Sequence, residues 1–152
     1  MPYKKNLKVS DLGEDYFIEK VTKGLIAYKD VVIGAGDDCA VIKTSDKKKF
    51  QLLKTDSVVE GVHYLSSDSP IAVGYKAMAR AMSDIAAMGG TPHHALVTLI
   101  INPSSKLSYI KSLYKGLSKA AALYEISIVG GETATAGKNS KNSITISLTG
   151  SV

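Results

Sequence analysis

The sequence predicts an α/β (α+β) domain with a mixed β-sheet and flanking helices, on three observations. Apolar residues follow a helical spacing at Phe17, Ile18, Val21, Leu25 and Ile26, but a strand-like alternation at Ile144, Ile146 and Leu148. Short β-branched runs alternate with longer helical stretches, as in architectures that pack helices on a sheet. Finally, 152 residues with 45% hydrophobic and 22% charged side chains suffice for one core and are ordinary for a soluble globular chain.

The elements follow in order. Asp15 to Tyr28 reads as a helix, and Val31–Gly34 and Ala40–Lys43 as short strands around Gly34-Ala-Gly-Asp-Asp38. Lys47-Lys48-Lys49 follows Thr44-Ser-Asp46 and precedes a strand, as a solvated hairpin tip would. Phe50 to Thr55 is the third strand. Ser69-Pro70 is a helix start, with serine as N-cap and proline at the first helical position. That helix runs to a stop at Gly89-Gly90 and is rich in alanine and methionine nearly all round, so it is expected to be buried. Ala95–Ile101 is a strand, Tyr109–Tyr124 an amphipathic helix, Ile126–Gly131 a strand that turns sharply, and Ser143–Val152 a half-buried strand. No internal repeat interrupts this order. The final apolar strand is expected either to pair within the domain or to lead into further sequence.

Several functions are disfavoured at once. No apolar run approaches the roughly 20 residues needed to span a bilayer. Met1-Pro-Tyr-Lys-Lys-Asn6 has no apolar stretch behind its charges and does not read as a signal peptide. The lone Cys39 cannot form an internal disulfide, soft ligands for zinc are scarce, and a cytoplasmic location is expected. The net charge of +5 permits nucleic acid, but Arg80 is the sole arginine and the lysines are scattered.

The chemistry is carried by carboxylates. Asp37, Asp38, Asp56, Asp84 and Glu132 stand in apolar or glycine-rich settings. Asp37-Asp38 and Glu132 also suit ordinary turns, and Asp56 a strand end. Asp84 is harder to place: it lies near a helix C-terminus, where its charge opposes the macrodipole, among Met82, Ile85, Ala86 and Met88. An enclosed carboxylate needs a compensating partner, and a metal ion would supply one. Carboxylates without a histidine or cysteine cluster favour magnesium, which commonly accompanies nucleotide phosphates. Gly34-Ala-Gly36 is neither a Walker loop nor the dinucleotide fingerprint, so an ATP site here is of another type. His93-His94, adjacent on a strand, are expected to point to opposite faces rather than to share a metal.

Four segments occur in order: Gly36-Asp-Asp-Cys-Ala-Val-Ile42, Thr55-Asp-Ser-Val-Val-Glu-Gly-Val-His-Tyr64, Met82-Ser-Asp-Ile-Ala-Ala-Met-Gly89 and Val129-Gly-Gly-Glu-Thr133. Together they resemble the N-terminal domain of the thiamine-monophosphate kinase family, within the aminoimidazole ribonucleotide synthetase-like (PurM-like) superfamily, from about Gly13 to Val152. The Val59-Glu-Gly-Val-His63 element points to the thiamine-phosphate branch.

The resemblance implies ATP-dependent, in-line phosphorylation of thiamine monophosphate among several magnesium ions. It implies Asp38, Thr55, Asp56, Asp84 and Glu132 as metal ligands and His63 as a contact to the thiamine phosphate. Gly131 would let the backbone approach the nucleotide, and Tyr114 would touch it. It further implies a homodimer whose sheets join into a barrel, and a C-terminal domain, lying beyond this chain, that supplies more ligands and much of the thiamine pocket. Two departures stand out: Glu132 where the family usually has aspartate, and Lys54 where a small hydroxyl residue is common. The alternatives are a non-catalytic nucleotide-binding or dimerisation module of the same fold, and another PurM-like ATP-dependent enzyme.

Overall fold

A computed structural model describes residues 8–152, so the reading of the first six residues lies outside it. Among the described residues a 3-10 turn (Val9–Asp11) precedes α1 (Glu14–Thr22), β1 (Val31–Ile33), β2 (Ala40–Lys43) and β3 (Phe50–Val59). Then come α2 (Pro70–Ala87), β4 (Thr91–Ile101), α3 (Leu107–Leu123), β5 (Ser127–Thr135) and β6 (Ser143–Ser151). The strands form one sheet in the order β1-β2-β3-β6-β4-β5. Neighbours are antiparallel except β4 and β5, which run parallel and are joined through α3. The expected mixed sheet with flanking helices is therefore observed, open rather than closed on itself.

Burial alternates without a break along β6, as expected, with Ile144, Ile146 and Leu148 buried. They face Leu52 and Val58 of β3 and Val97 and Leu99 of β4, and α2 covers this side through Met78, Ala81 and Ile85. The two long helices touch almost backbone to backbone. A Cβ at Gly74 would collide with the Leu113 carbonyl, and one at Gly116 with the Ile71 carbonyl. Leu113 and Leu117 of α3 then complete the core.

Four boundaries differ from expectation. The first helix stops at Thr22 because Gly24 takes φ +91°, a left-handed stop that leaves Leu25, Ile26 and Tyr28 exposed outside it. Strand β3 does not end at Thr55, because β6 pairs with every residue from Gln51 to Val59. Strand β5 continues past Gly131 to Thr135, held by parallel pairing with β4, so Glu132 sits in a strand rather than a turn. Strand β4 begins at Thr91, and a bulge between Pro92 and His94 interrupts its alternation, leaving the His93 and His94 rings 6.2 Å apart. The lysine run lies in the β2–β3 hairpin as expected, closed by the Lys49 N–H donating to the Asp46 carbonyl. No described helix is long and apolar enough to cross a membrane.

Candidate functional site

The site grows from a match between two periods. Lys54 and Asp56 are two apart on β3 and fall on the face that also carries Leu52 and Val58, toward α2. Lys76, Arg80 and Asp84 recur every four residues on α2. Two residues of strand advance about 6.6 Å and four of helix about 6 Å, so the rows stay in step when the elements run antiparallel. Asp84 meets Lys54, Arg80 meets Asp56, and Lys76 donates to the main-chain oxygen of His63 at 2.5 Å.

The Arg80 guanidinium grips Asp56 with two nitrogens, Nε to Oδ2 at 3.1 Å and Nη2 to Oδ1 at 3.4 Å. Asp56 Oδ1 also accepts from the Ser57 N–H at 2.7 Å. Lys54 and Asp84 form an ion pair with side chains only 20% and 24% exposed, so water screens it poorly. Burial pulls the Lys54 ammonium down, but its hydrogen bond to Asp84 and the charges of Asp84 and Asp56 outweigh that and leave it raised. The partner that Asp84 requires is thus supplied by the protein itself. Neither Lys54 nor Arg80 was expected in that role from sequence. The signal was available in the two-residue spacing on β3 and the four-residue spacing on α2.

Asp38 joins this group from the loop before β2. That turn forms around Gly36, at φ +118°, with the Asp38 N–H donating to Asp37 Oδ1 at 2.8 Å, so Asp37 does take the turn role. Cys39 is buried directly after it, surrounded by the charges of Lys54, Asp84, Asp38 and Asp37. Burial, aided by the three carboxylates and opposed by Lys54, pushes its thiol up. Asp37, Asp38 and Lys54 line a cleft of about 650 Å³ closed on its other side by Asp15, Ile18 and Glu19 of α1.

His63 sits where β3 ends in a tight turn, with Gly61 at φ +81° and the His63 N–H donating to the Val59 carbonyl at 2.8 Å. Its Nδ1 accepts from the Val59 N–H at 3.0 Å. The neutral ring therefore carries its proton on Nε2, which is left as a donor. Glu60 beside it is an anchor: its Oε2 accepts from the N–H and Nδ2 of Asn142, tying this turn to the start of β6. The next residue, Tyr64, buries its hydroxyl with no hydrogen-bond partner among the described residues.

The other expected site residues fall elsewhere. Thr55 points to the opposite face of the sheet, where its hydroxyl meets Ser147 at 3.3 Å. Glu132 pairs in register with Thr98, also on that open face, and is exposed. Both are parted from Asp56 and Asp84 by the sheet, because odd and even positions of a strand face opposite ways. Gly131 is explained by the sheet, since a Cβ there would collide with the Val97 backbone. Tyr114 lies on α3, 37% exposed, with no hydrogen bond to the cluster.

The candidate donors are all oxygens, which suits a hard cation such as magnesium. No three Asp, Glu, His or Cys side chains among the described residues converge into a ready-made cage. Magnesium does not demand one, since it keeps several waters and shares its remaining positions with substrate phosphates.

The family model for AIR synthase related protein, N-terminal domain, matches residues 36–152. The thiamine-monophosphate kinase of Bacillus subtilis (strain 168) is 38% identical over 123 residues, 80% of this chain and 38% of that protein. That of Aquifex aeolicus (strain VF5) is 37% identical over 144 residues, 95% of this chain and 44% of that protein. The solved structure of AaThiL complexed with AMPPCP and TMP aligns with a TM-score of 0.85 at 34% identity, covering 97% of this chain and 45% of that one. The chain thus spans less than half the length of the curated relatives it matches.

Proposed function

The chain belongs to the AIR synthase related protein N-terminal domain family, and we propose that it is the nucleotide-binding portion of a thiamine-monophosphate kinase. The reaction is transfer of the terminal phosphoryl group of ATP to the phosphate of thiamine monophosphate, giving ADP and thiamine diphosphate. The observation that carries this reading is the seam of Lys54, Asp56, Arg80 and Asp84, which meets Asp38 beside the cleft. The AMPPCP and TMP held by the similar structure support an ATP-like nucleotide and thiamine phosphate as its ligands.

In this reading Asp38 and Asp56 hold magnesium, which when bound neutralises phosphate charge. The chain's own task is positioning and electrostatics. Lys54 presents positive charge toward the phosphates, Arg80 holds Asp56 until a cation takes its place, and His63 offers Nε2–H to the acceptor phosphate. The chain spans 38% and 44% of the length of the matched relatives, and in this reading it supplies the nucleotide-binding part of the site. We place the protein in the cytoplasm as a homodimer joined through the open face of the sheet. The exposed Leu53, Leu96, Ile100 and Val129 and a groove of about 500 Å³ on that face support this.

Calorimetric titration of the chain with AMPPCP in the presence of magnesium tests the binding. Saturable heat is expected, with affinity lowered at least about tenfold by Asp56→Asn, the loss of roughly one charge-assisted contact. Absence of saturable heat from the wild-type chain would sink the reading.

A further inference from the structure

We infer that Lys54 is a built-in cation of the phosphate site, holding by covalent tether a position that a divalent ion would otherwise fill. This deepens the proposed nucleotide-binding reading and rests on it. Three observations meet at Lys54. It is paired with Asp84. It lies on the same strand face as Asp56, two residues away. And it lines the cleft together with Asp37 and Asp38.

Carboxylates converging beside bound phosphates repel one another and the phosphates, and cations must offset them. Here one such cation is part of the chain. A divalent ion on Asp84 would sit in contact with an ammonium of like charge, so the two exclude each other there. The neighbouring pair behaves differently. Arg80 projects from a helix surface with its side chain 43% exposed, so it can swing into water and release Asp56 to another cation. Lys54 rises from a strand flanked by β2 and β6, with its side chain 20% exposed, and has no comparable retreat. The nucleotide therefore brings one divalent ion fewer into this site than its carboxylates alone would require.

The test is the magnesium dependence of AMPPCP binding to the full chain. The slope of log affinity against log free magnesium counts the ions taken up with each nucleotide. Lys54→Met keeps the aliphatic stem and removes the charge, so its slope is expected to exceed the wild-type value by about one, with affinity at the lowest magnesium down about tenfold. Lys54→Arg keeps the charge and should retain the wild-type slope. Asp84→Asn, which leaves Lys54 in place, should also retain it, and this arm decides the matter if circular dichroism shows Lys54→Met unfolded. Equal slopes for wild type and a folded Lys54→Met, or a slope lowered by one in Asp84→Asn, would overturn the role given to Lys54 while leaving nucleotide binding intact. A wild-type chain that binds no AMPPCP at any magnesium concentration overturns the nucleotide reading and this inference with it.

Discussion

On the side of the sheet beneath α2, Leu52, Val58, Val97, Leu99, Ile144, Ile146 and Leu148 are all buried. On the other side of the same strands, Leu53, Leu96 and Ile100 are 40%, 47% and 42% exposed and stand among hydroxyls. The two sides also treat polar residues differently. On the covered side each charge on β3 is answered by an opposite charge from α2, Lys54 by Asp84 and Asp56 by Arg80. On the open side polar groups pair sideways between strands, Thr55 with Ser147 at 3.3 Å and Ser57 with Thr145 at 2.7 Å. A covered face admits a charge only where a second element brings its partner, because an unpaired enclosed charge is costly. An open face can leave the remainder to water or to another chain.

The contrast can be broken first at the core. Leu117 is fully buried where α3 closes over α2, and Leu117→Ala is expected to cost about 2–5 kcal/mol, read from urea unfolding. A cost near that of an exposed position would mean the helices do not pack as described. On the open face, Leu96→Asp is expected to change monomer stability by no more than about 0.5 kcal/mol while abolishing the proposed dimer in sedimentation velocity. A wild-type chain already monomeric, or a variant still dimeric, would remove this face from assembly.

The smallest effect is that of pH. Burial raises the Cys39 thiol above its ordinary 9.0 and the Tyr64 and Tyr109 phenols above 10.0, and the pairing with Asp84 and Asp56 leaves Lys54 above 10.5. Each group holds its proton more tightly when folded, so its contribution is complete below the unfolded value and fades as pH rises. The Tm should be insensitive to these groups below about pH 9 and fall above it, and Cys39→Ser should move the onset up by about one pH unit, toward the tyrosine range. A Tm unchanged through pH 11 would contradict the enclosure of these groups.

Much of the candidate site was legible. Asp38, Asp56 and Asp84 gather around Lys54 and Cys39, and His63 occupies the turn that follows β3. Thr55 and Glu132 did not join them. From local sequence each reads as ending or following a strand, whereas the strand runs through it, and once inside a strand its parity fixes its face. The setting of Asp84 in the sequence demands a partner, but that partner is thirty residues earlier in the chain and reached only by folding.

The sequence by itself determined what depends on near neighbours: the α2 start at Ser69-Pro70, the alternation of β6, the hairpin at Lys47–Lys49 and the requirement that Asp84 be compensated. Local dihedral preferences and residue spacing suffice for these. The tertiary structure decided which strand extended through its polar residues, which face each carboxylate took and which cation answered it. Those choices are set by hydrogen-bond ladders to β6 and β4 and by the register of α2 against β3, contacts between residues far apart in sequence that no local pattern encodes.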